Sequence, residues 1–177
     1  MNKPAELPLP VTGKQKMTPS EAFVETLVAN GVKDVFGIVG SAYMDALDLF
    51  PLAGIRFISV AHEQGGGHMA DGYARATGKP GICAAQVIGA LNLAAGLRDA
   101  WLAHSPVIAM TGGRDAKTKF RKVYQEIDDM PAFEPVTKFN ATVDAVERFP
   151  DMVRQAFRVA VSGTPGPVHL QFRGNEG

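Results

Sequence analysis

A chain of 177 residues, 46% of them apolar, is long enough for one domain with a substantial core. Its 18 basic and 18 acidic residues cancel, which excludes an overall field that would favour nucleic acid or an anionic membrane. The single cysteine, Cys83, excludes an internal disulfide framework, and its apolar surroundings mark it as a buried core thiol of a reducing, cytoplasmic compartment.

Residues 1–16 hold prolines and scattered lysines without a continuous apolar stretch, and they read as a flexible leader rather than a signal peptide. No run approaches the roughly 18 consecutive apolar residues of a membrane span. Thr18-Pro-Ser-Glu21 is a helix start: a capping threonine, proline at the first helical position and a glutamate that can reach back. Phe23, Val24, Leu27 and Val28 follow at helical spacing until Asn30-Gly31. Lys33 to Ser41 is an apolar strand ending in a glycine turn, and Tyr43 to Phe50 resumes a helix that stops at Pro51.

The alternation continues. Ile55 to Ala61 is a strand, His62 to Thr77 a helix, Gly81 to Ala85 a strand and Gly89 to Ala103 a helix. Pro106 to Met110 is a strand, Thr111 to Asp115 a turn and Lys117 to Lys122 a basic loop of the kind that is usually a solvated face. Val136 to Thr142 is a strand, Pro150 to Val161 a helix with proline in its first turn, and Val168 to Phe172 the last strand. Six strands separated by helices predict a doubly wound α/β fold, a parallel sheet with helices on both faces, over residues 17–174, with 175–177 as a polar tail.

One stretch concentrates unusual chemistry. Val60-Ala-His-Glu-Gln-Gly-Gly-Gly-His-Met-Ala-Asp-Gly-Tyr-Ala-Arg75 sets Glu63 between a strand end and a helix opened by three glycines, each of which costs a helix about 1 kcal/mol relative to alanine. A packing or ligand-approach reason is therefore expected. Strand ends at helix mouths are where open α/β sheets place ligands; the plainer reading is that Glu63 only complements the helix dipole, worth about 0.3–1 kcal/mol. His62 and His68 are not at the i, i+4 spacing of a helical zinc pair, and no metal ligand is named in this chain. Gly37 and Gly40 do not form a dinucleotide fingerprint, and no P-loop is present.

The segment Glu63 to Arg75 resembles the catalytic-glutamate segment of the pyrimidine-binding domain in thiamine diphosphate enzymes of the acetolactate synthase type. The likeness runs from about Thr18 to Phe172, and the wording from Gly40 to Pro51 is most similar to the sulfoacetaldehyde acetyltransferases within that group. It implies that Glu63 contacts the aminopyrimidine ring and relays its proton. It implies further that Val39, Gly40 and Ser41, in the family's Pro-Gly-Gly turn, line the cofactor pocket together with Gly89 and Asn92. Tyr124 and Gln125, in a Phe-Gln-Glu-like stretch, would meet a 2-oxo acid substrate. Two departures stand out: the turn lacks its proline, and Val87-Ile88 replace the Gly-Pro that normally precedes Gly89. Read from the residues alone, Asn92 is equally a helix-start polar group and Tyr124-Gln125 equally an ordinary helix start. His169 reads as a core or edge histidine.

The family binds the diphosphate and Mg2+ on another domain through Gly-Asp-Gly and a later asparagine, and the one Asp-Gly pair here, Asp71-Gly72, lies within the Glu63 helix. The resemblance thus implies an incomplete lyase, decarboxylase or acyl-transferring unit, a subunit or fragment. It would act on a 2-oxo acid or related carbonyl compound in a homo- or hetero-oligomer, with a partner domain supplying the Mg2+ site. A non-catalytic scaffold or regulatory descendant is the alternative, and an unrelated doubly wound module binding another small anion is a third reading.

Overall fold

The computed structural model describes residues 16–173, so the expected leader and polar tail lie largely outside it. Helix α1 (Pro19–Ala29) starts in the expected capping box: Thr18 Oγ1 accepts the Glu21 N–H at 3.2 Å, and the Thr18 N–H donates to Glu21 Oε2 at 2.7 Å. After it come β1 (Asp34–Gly37), a 3-10 turn at Ser41–Tyr43, α2 (Met44–Leu49), β2 (Arg56–Ser59), α3 (Glu63–Thr77) and β3 (Gly81–Ala85). The chain continues with α4 (Ala90–Gly96), α5 (Arg98–Leu102), β4 (Val107–Gly113), α6 (Met130–Phe133), β5 (Phe139–Val143), α7 (Phe149–Val161) and β6 (Val168–Arg173). The six strands pair in the order β2-β1-β3-β4-β6-β5, all parallel.

Both faces of this sheet are covered, which is why its inner strands read as unbroken apolar runs. One core takes Ile82, Ile108, Met110, Leu170 and Phe172 and packs them against Phe23, Leu27, Val153 and Ala156 of α1 and α7. The alternate strand residues Cys83, Ala85, Val107 and Ala109 face Ala70, Leu93, Leu97 and Phe133 of α3, α4 and α6 and the link between α4 and α5. Cys83 is fully buried, and burial pushes its thiol far up, as befits an inert core group.

The second core is built from small residues, and this accounts for the glycines of α3. A Cβ at Gly67 would lie 3.0 Å from the Gly96 carbonyl carbon, and one at Gly96 would lie 2.6 Å from the Gln64 oxygen, so α3 and α4 touch backbone to backbone. A Cβ at Gly66 would stand 3.3 Å from the Phe36 oxygen of β1, whereas at Gly65 it would meet nothing within 4 Å. Asp71 and Arg75 fasten the same region: Arg75 donates to both Asp71 carboxylate oxygens at 2.8 and 2.6 Å. Burial alone would raise Asp71, but the hydrogen bonds and charge of Arg75 hold it below the usual carboxylate value.

Element boundaries depart from the sequence reading where tertiary contacts intervene. The helix expected over Gly89 to Ala103 breaks at Leu97, whose N–H bonds the Ala94 oxygen, next to the close approach of Gly96 to α3. Strand β4 runs on through the expected turn as far as Gly113, because β6 offers Phe172 and Arg173 as partners for Gly112 and Gly113. Strand β5 starts late, since Glu134–Val136 winds as a 3-10 turn around Pro135. Strand β1 is shorter than expected, ending at Gly37, and α2 follows a 3-10 turn rather than opening at Tyr43. Among the described residues no helix is long and apolar enough to cross a membrane.

His169, on β6 beside the edge strand β5, is fully buried and stacked on Phe133 with ring centroids 3.5 Å apart. Asn140 Nδ2 donates to the Met130 oxygen at 2.8 Å, leaving its Oδ1 to accept from His169 Nδ1 at 2.7 Å. The other ring nitrogen, Nε2, therefore accepts from Thr111 Oγ1 at 2.7 Å. Burial lowers its pKa to about 3, so the ring is neutral across the physiological range.

Candidate active site

The strand order reverses between β1 and β3: the chain leaves β1 outward to β2, then crosses back to β3 on the other side. That switch point lies at the carboxyl ends of β1 and β3, the place where this architecture binds ligands. Of the residues expected there, Val39, Gly40, Ser41 and Gly89 lie in the connections after β1 and β3, Glu63 opens α3 and Asn92 lies in the first turn of α4.

Glu63 is the first residue of α3, which follows β2 after the short link Val60 to His62. His62 caps the helix, its Nδ1 accepting the Gln64 N–H at 3.3 Å. Glu63 is intermediate in exposure, and Asn92 Nδ2 donates to its Oε2 at 3.0 Å. Asn92 thus orients an acid 29 residues away in sequence rather than only serving its own helix start. Gly89 completes the group: a Cβ there would fall 2.3 Å from Glu63 Oε1, so any side chain would displace the carboxylate. Glu63, Gly89 and Asn92, separate in sequence, form one constellation.

The turn after β1 forms a second. Gly40 extends into the 3-10 turn, and Ser41 and Ala42 are held by Gln86, the first residue beyond β3. Gln86 was not among the expected site residues. The available signal was a polar amide directly after an apolar strand, but its partners are set by strand order. The two constellations are joined by the single turn from Gln86 to Gly89. Val39 projects its side chain into solvent at this rim. Of the unusual pair, Val87 is 1% exposed and packs toward Gly112, while Ile88 is 59% exposed beside the switch point.

The 114–129 segment crosses the same end of the sheet. Tyr124 is exposed, and Gln125 adopts φ 62° with its side-chain oxygen buried and without a hydrogen-bond partner among the described residues. No hydrogen bond among the described residues ties either residue to Glu63 or Ser41. Glu126 shapes the loop, its carboxylate accepting the backbone N–H groups of Phe120 and, at 3.1 Å, Val123. The segment is anchored by Asp129, fully buried, whose Oδ1 accepts from Gln171 Nε2 at 2.5 Å. Burial pushes the Asp129 carboxyl up to about 6, with the charge of Asp128 adding to the rise against the bonds that oppose it.

A carboxylate at a switch point, oriented by an amide and lying over a glycine, has one oxygen free to exchange a proton with a bound group. The family model described as the thiamine pyrophosphate enzyme N-terminal TPP binding domain matches residues 17–132, and the chain belongs to that family. Its curated relatives include the sulfoacetaldehyde acetyltransferase of Alcaligenes xylosoxydans xylosoxydans, 46% identical over 163 residues, covering 92% of this chain and 27% of the relative. The acetolactate synthase isozyme 2 large subunit of Escherichia coli (strain K12) is 41% identical over 153 residues, 86% of this chain and 28% of that protein. A probable acetolactate synthase large subunit of Methanocaldococcus jannaschii is 40% identical over 157 residues, 88% of this chain and 27% of the relative. The chain therefore spans about a quarter of the length of these relatives.

A carboxylate with one oxygen held by an amide donor and the other lying over a glycine suits a heteroaromatic nitrogen that exchanges a proton. Among the described residues no group of three or more His, Cys, Asp or Glu is placed to hold a metal ion. The residues fit the ring end of thiamine diphosphate.

Proposed function

We propose that this chain is the pyrimidine-binding part of a thiamine diphosphate-dependent carbon–carbon lyase, decarboxylase or acyl-transferring enzyme acting on a 2-oxo acid or related carbonyl compound. The observation that carries this reading is the Glu63 carboxylate at the switch point, bonded to Asn92 at 3.0 Å and in contact with Gly89. When bound, the cofactor supplies the nucleophilic carbon that adds to the substrate carbonyl. Glu63 holds and returns a proton at Oε1, while the Asn92 N–H fixes Oε2. Gly89 keeps that oxygen open to a ring, and Val39, Gly40 and Ser41 line the adjoining wall. Tyr124 and Gln125 approach the substrate from the 114–129 segment, whose buried Gln125 oxygen is a free acceptor among the described residues.

Mg2+ and the diphosphate are held by another domain, of a longer form of this chain or of a partner subunit. Exposed Val39, Met44, Ile88 and Leu91 around the switch point support completion by such a surface. The test is reconstitution with a chain carrying the diphosphate site. Glu63→Gln is expected to retain the assembly and lose turnover by about 10²-fold or more. Normal turnover in that variant would overturn the assignment, and assembly without any cofactor dependence would favour a scaffold role, the alternative that Val87 and Ile88 motivate.

A further inference from the structure

The amino ends of β1 and β3 lie at the end of the sheet opposite Glu63, and the two connections that lead into them are built alike. Gly31 after α1 and Gly78 after α3 turn the chain at φ 76° and 69°, and a lysine follows each, Lys33 before β1 and Lys79 before β3. Between these connections lies a cleft of about 270 Å³. Buried Val32 and Ile82 form its floor, the rings of Tyr73 from α3 and Phe157 from α7 flank it, and both lysines line it. No residue assigned to the cofactor or substrate takes part.

The charge in this cleft is one-sided. Its single acid, Asp34, is already taken, since Arg56 brings Nε and Nη2 to Asp34 Oδ1, each at 2.7 Å. Lys33 and Lys79 have no carboxylate partner among the described residues. Two ammonium groups therefore stand over an apolar floor with no anion of the chain to answer them. An inorganic anion would meet the lysines and leave the floor wet; a neutral ring would fill the floor and leave both charges unmet. A carboxylate on an apolar body does both, taking charge-assisted hydrogen bonds at one end and displacing water from Val32, Ile82 and the two rings at the other. The volume is about nine times the share of one water in the liquid, room for a body of about ten non-hydrogen atoms.

We propose that this cleft is a second ligand site, which takes a small carboxylate with an apolar, ring-sized body. A ligand there touches Tyr73, on the helix that Glu63 opens, and lies at the far ends of the two strands beside the active site. The site is independent of the function proposed above.

The experiment titrates the whole chain, labelled with nitrogen-15, with phenylacetate and with its neutral amide, phenylacetamide. It is run in about 0.15 M salt, where exposed charges act over only about 8 Å. Wild type is compared with Lys33→Gln/Lys79→Gln and with Lys117→Gln/Lys119→Gln, which removes two charges elsewhere. Expected is saturable binding of phenylacetate with a Kd of about 1 mM or below, with amide shifts centred on residues 30–34 and 79–82. Phenylacetamide on the wild type, and phenylacetate on Lys33→Gln/Lys79→Gln, should each bind about tenfold more weakly or worse, while Lys117→Gln/Lys119→Gln matches wild type. Failure to saturate by about 10 mM phenylacetate overturns the proposal. So does equal affinity for the amide, full affinity in Lys33→Gln/Lys79→Gln, or an equal loss in the control pair, which would mark attraction to charge in general. Shifts centred on Glu63 and Asn92 would put the acid in the active site and overturn it too. None of these outcomes bears on the role of Glu63, which stands or falls on its own variant.

Discussion

Asp129→Asn is expected to stabilise the protein at neutral pH and to leave it nearly unchanged in mild acid. The carboxyl is completely buried, Oδ1 accepts from Gln171, and Oδ2 has no partner among the described residues. Burial raises it from an ordinary 3.8 to about 6, so folding favours the protonated form. Below pH 3.8 the group is protonated in folded and unfolded chains alike and costs nothing; above about 6 it is ionised in both, and the fold bears the full penalty. At about 1.4 kcal/mol for each pH unit between those values, the penalty reaches about 3 kcal/mol. Asparagine keeps an oxygen for Gln171 and never ionises. Urea unfolding of wild type and variant from about pH 4 to about pH 8 gives the difference at each pH and cancels every other titrating group. The gap should open in favour of the variant by about 3 kcal/mol between those limits. A gap that stays constant with pH would refute the reasoning.

The glycines of α3 supply a paired prediction by the same denaturation assay. Gly67→Ala, with its Cβ 3.0 Å from the Gly96 backbone, should destabilise by about 1–3 kcal/mol. Gly65→Ala, with nothing within 4 Å, should stabilise by about 0.5–1 kcal/mol; the reverse order would show that the helix contact is misassigned. Gly89→Ala should push the Glu63 carboxylate off Asn92 and lower cofactor-dependent turnover of the reconstituted enzyme by about 10²-fold, since an ångström of misplacement has that effect. Full turnover in that variant would mean Glu63 tolerates displacement.

The order of strands and helices was legible because inner parallel strands are apolar runs and the helices carry clear start signals, Thr18-Pro-Ser-Glu21 above all. Glu63 was legible from its neighbours: an acid at a strand end followed by glycines. The glycines had the expected packing reason at Gly66 and Gly67, while Gly65 meets nothing within 4 Å in the fold. Helix α6 went unassigned because four residues are too few to show a period. The break at Leu97 is imposed by a neighbouring helix and leaves no local trace. Gln86 escaped notice because its bond to Ser41 spans 45 residues and exists only once β1 and β3 lie side by side. Tyr124 and Gln125 were chosen by likeness, and their loop is set by Glu126, whose bonds to Phe120 and Val123 no periodicity announces.

The contacts of His169 make the sheet directional in a further sense. From the Thr111 hydroxyl to the imidazole, from the imidazole to Asn140, and from Asn140 to the Met130 carbonyl, each group donates to the next, crossing β4, β6 and β5 to the start of α6. Sliding β6 by one residue would turn His169 to the opposite face and put Leu170 or Val168 in its place. Thr111 and Asn140 would then be stranded without their partner, each at about 1–3 kcal/mol where water is shut out. The chain of three side chains works as a key, admitting one alignment of β6 among several that the apolar pattern alone would tolerate.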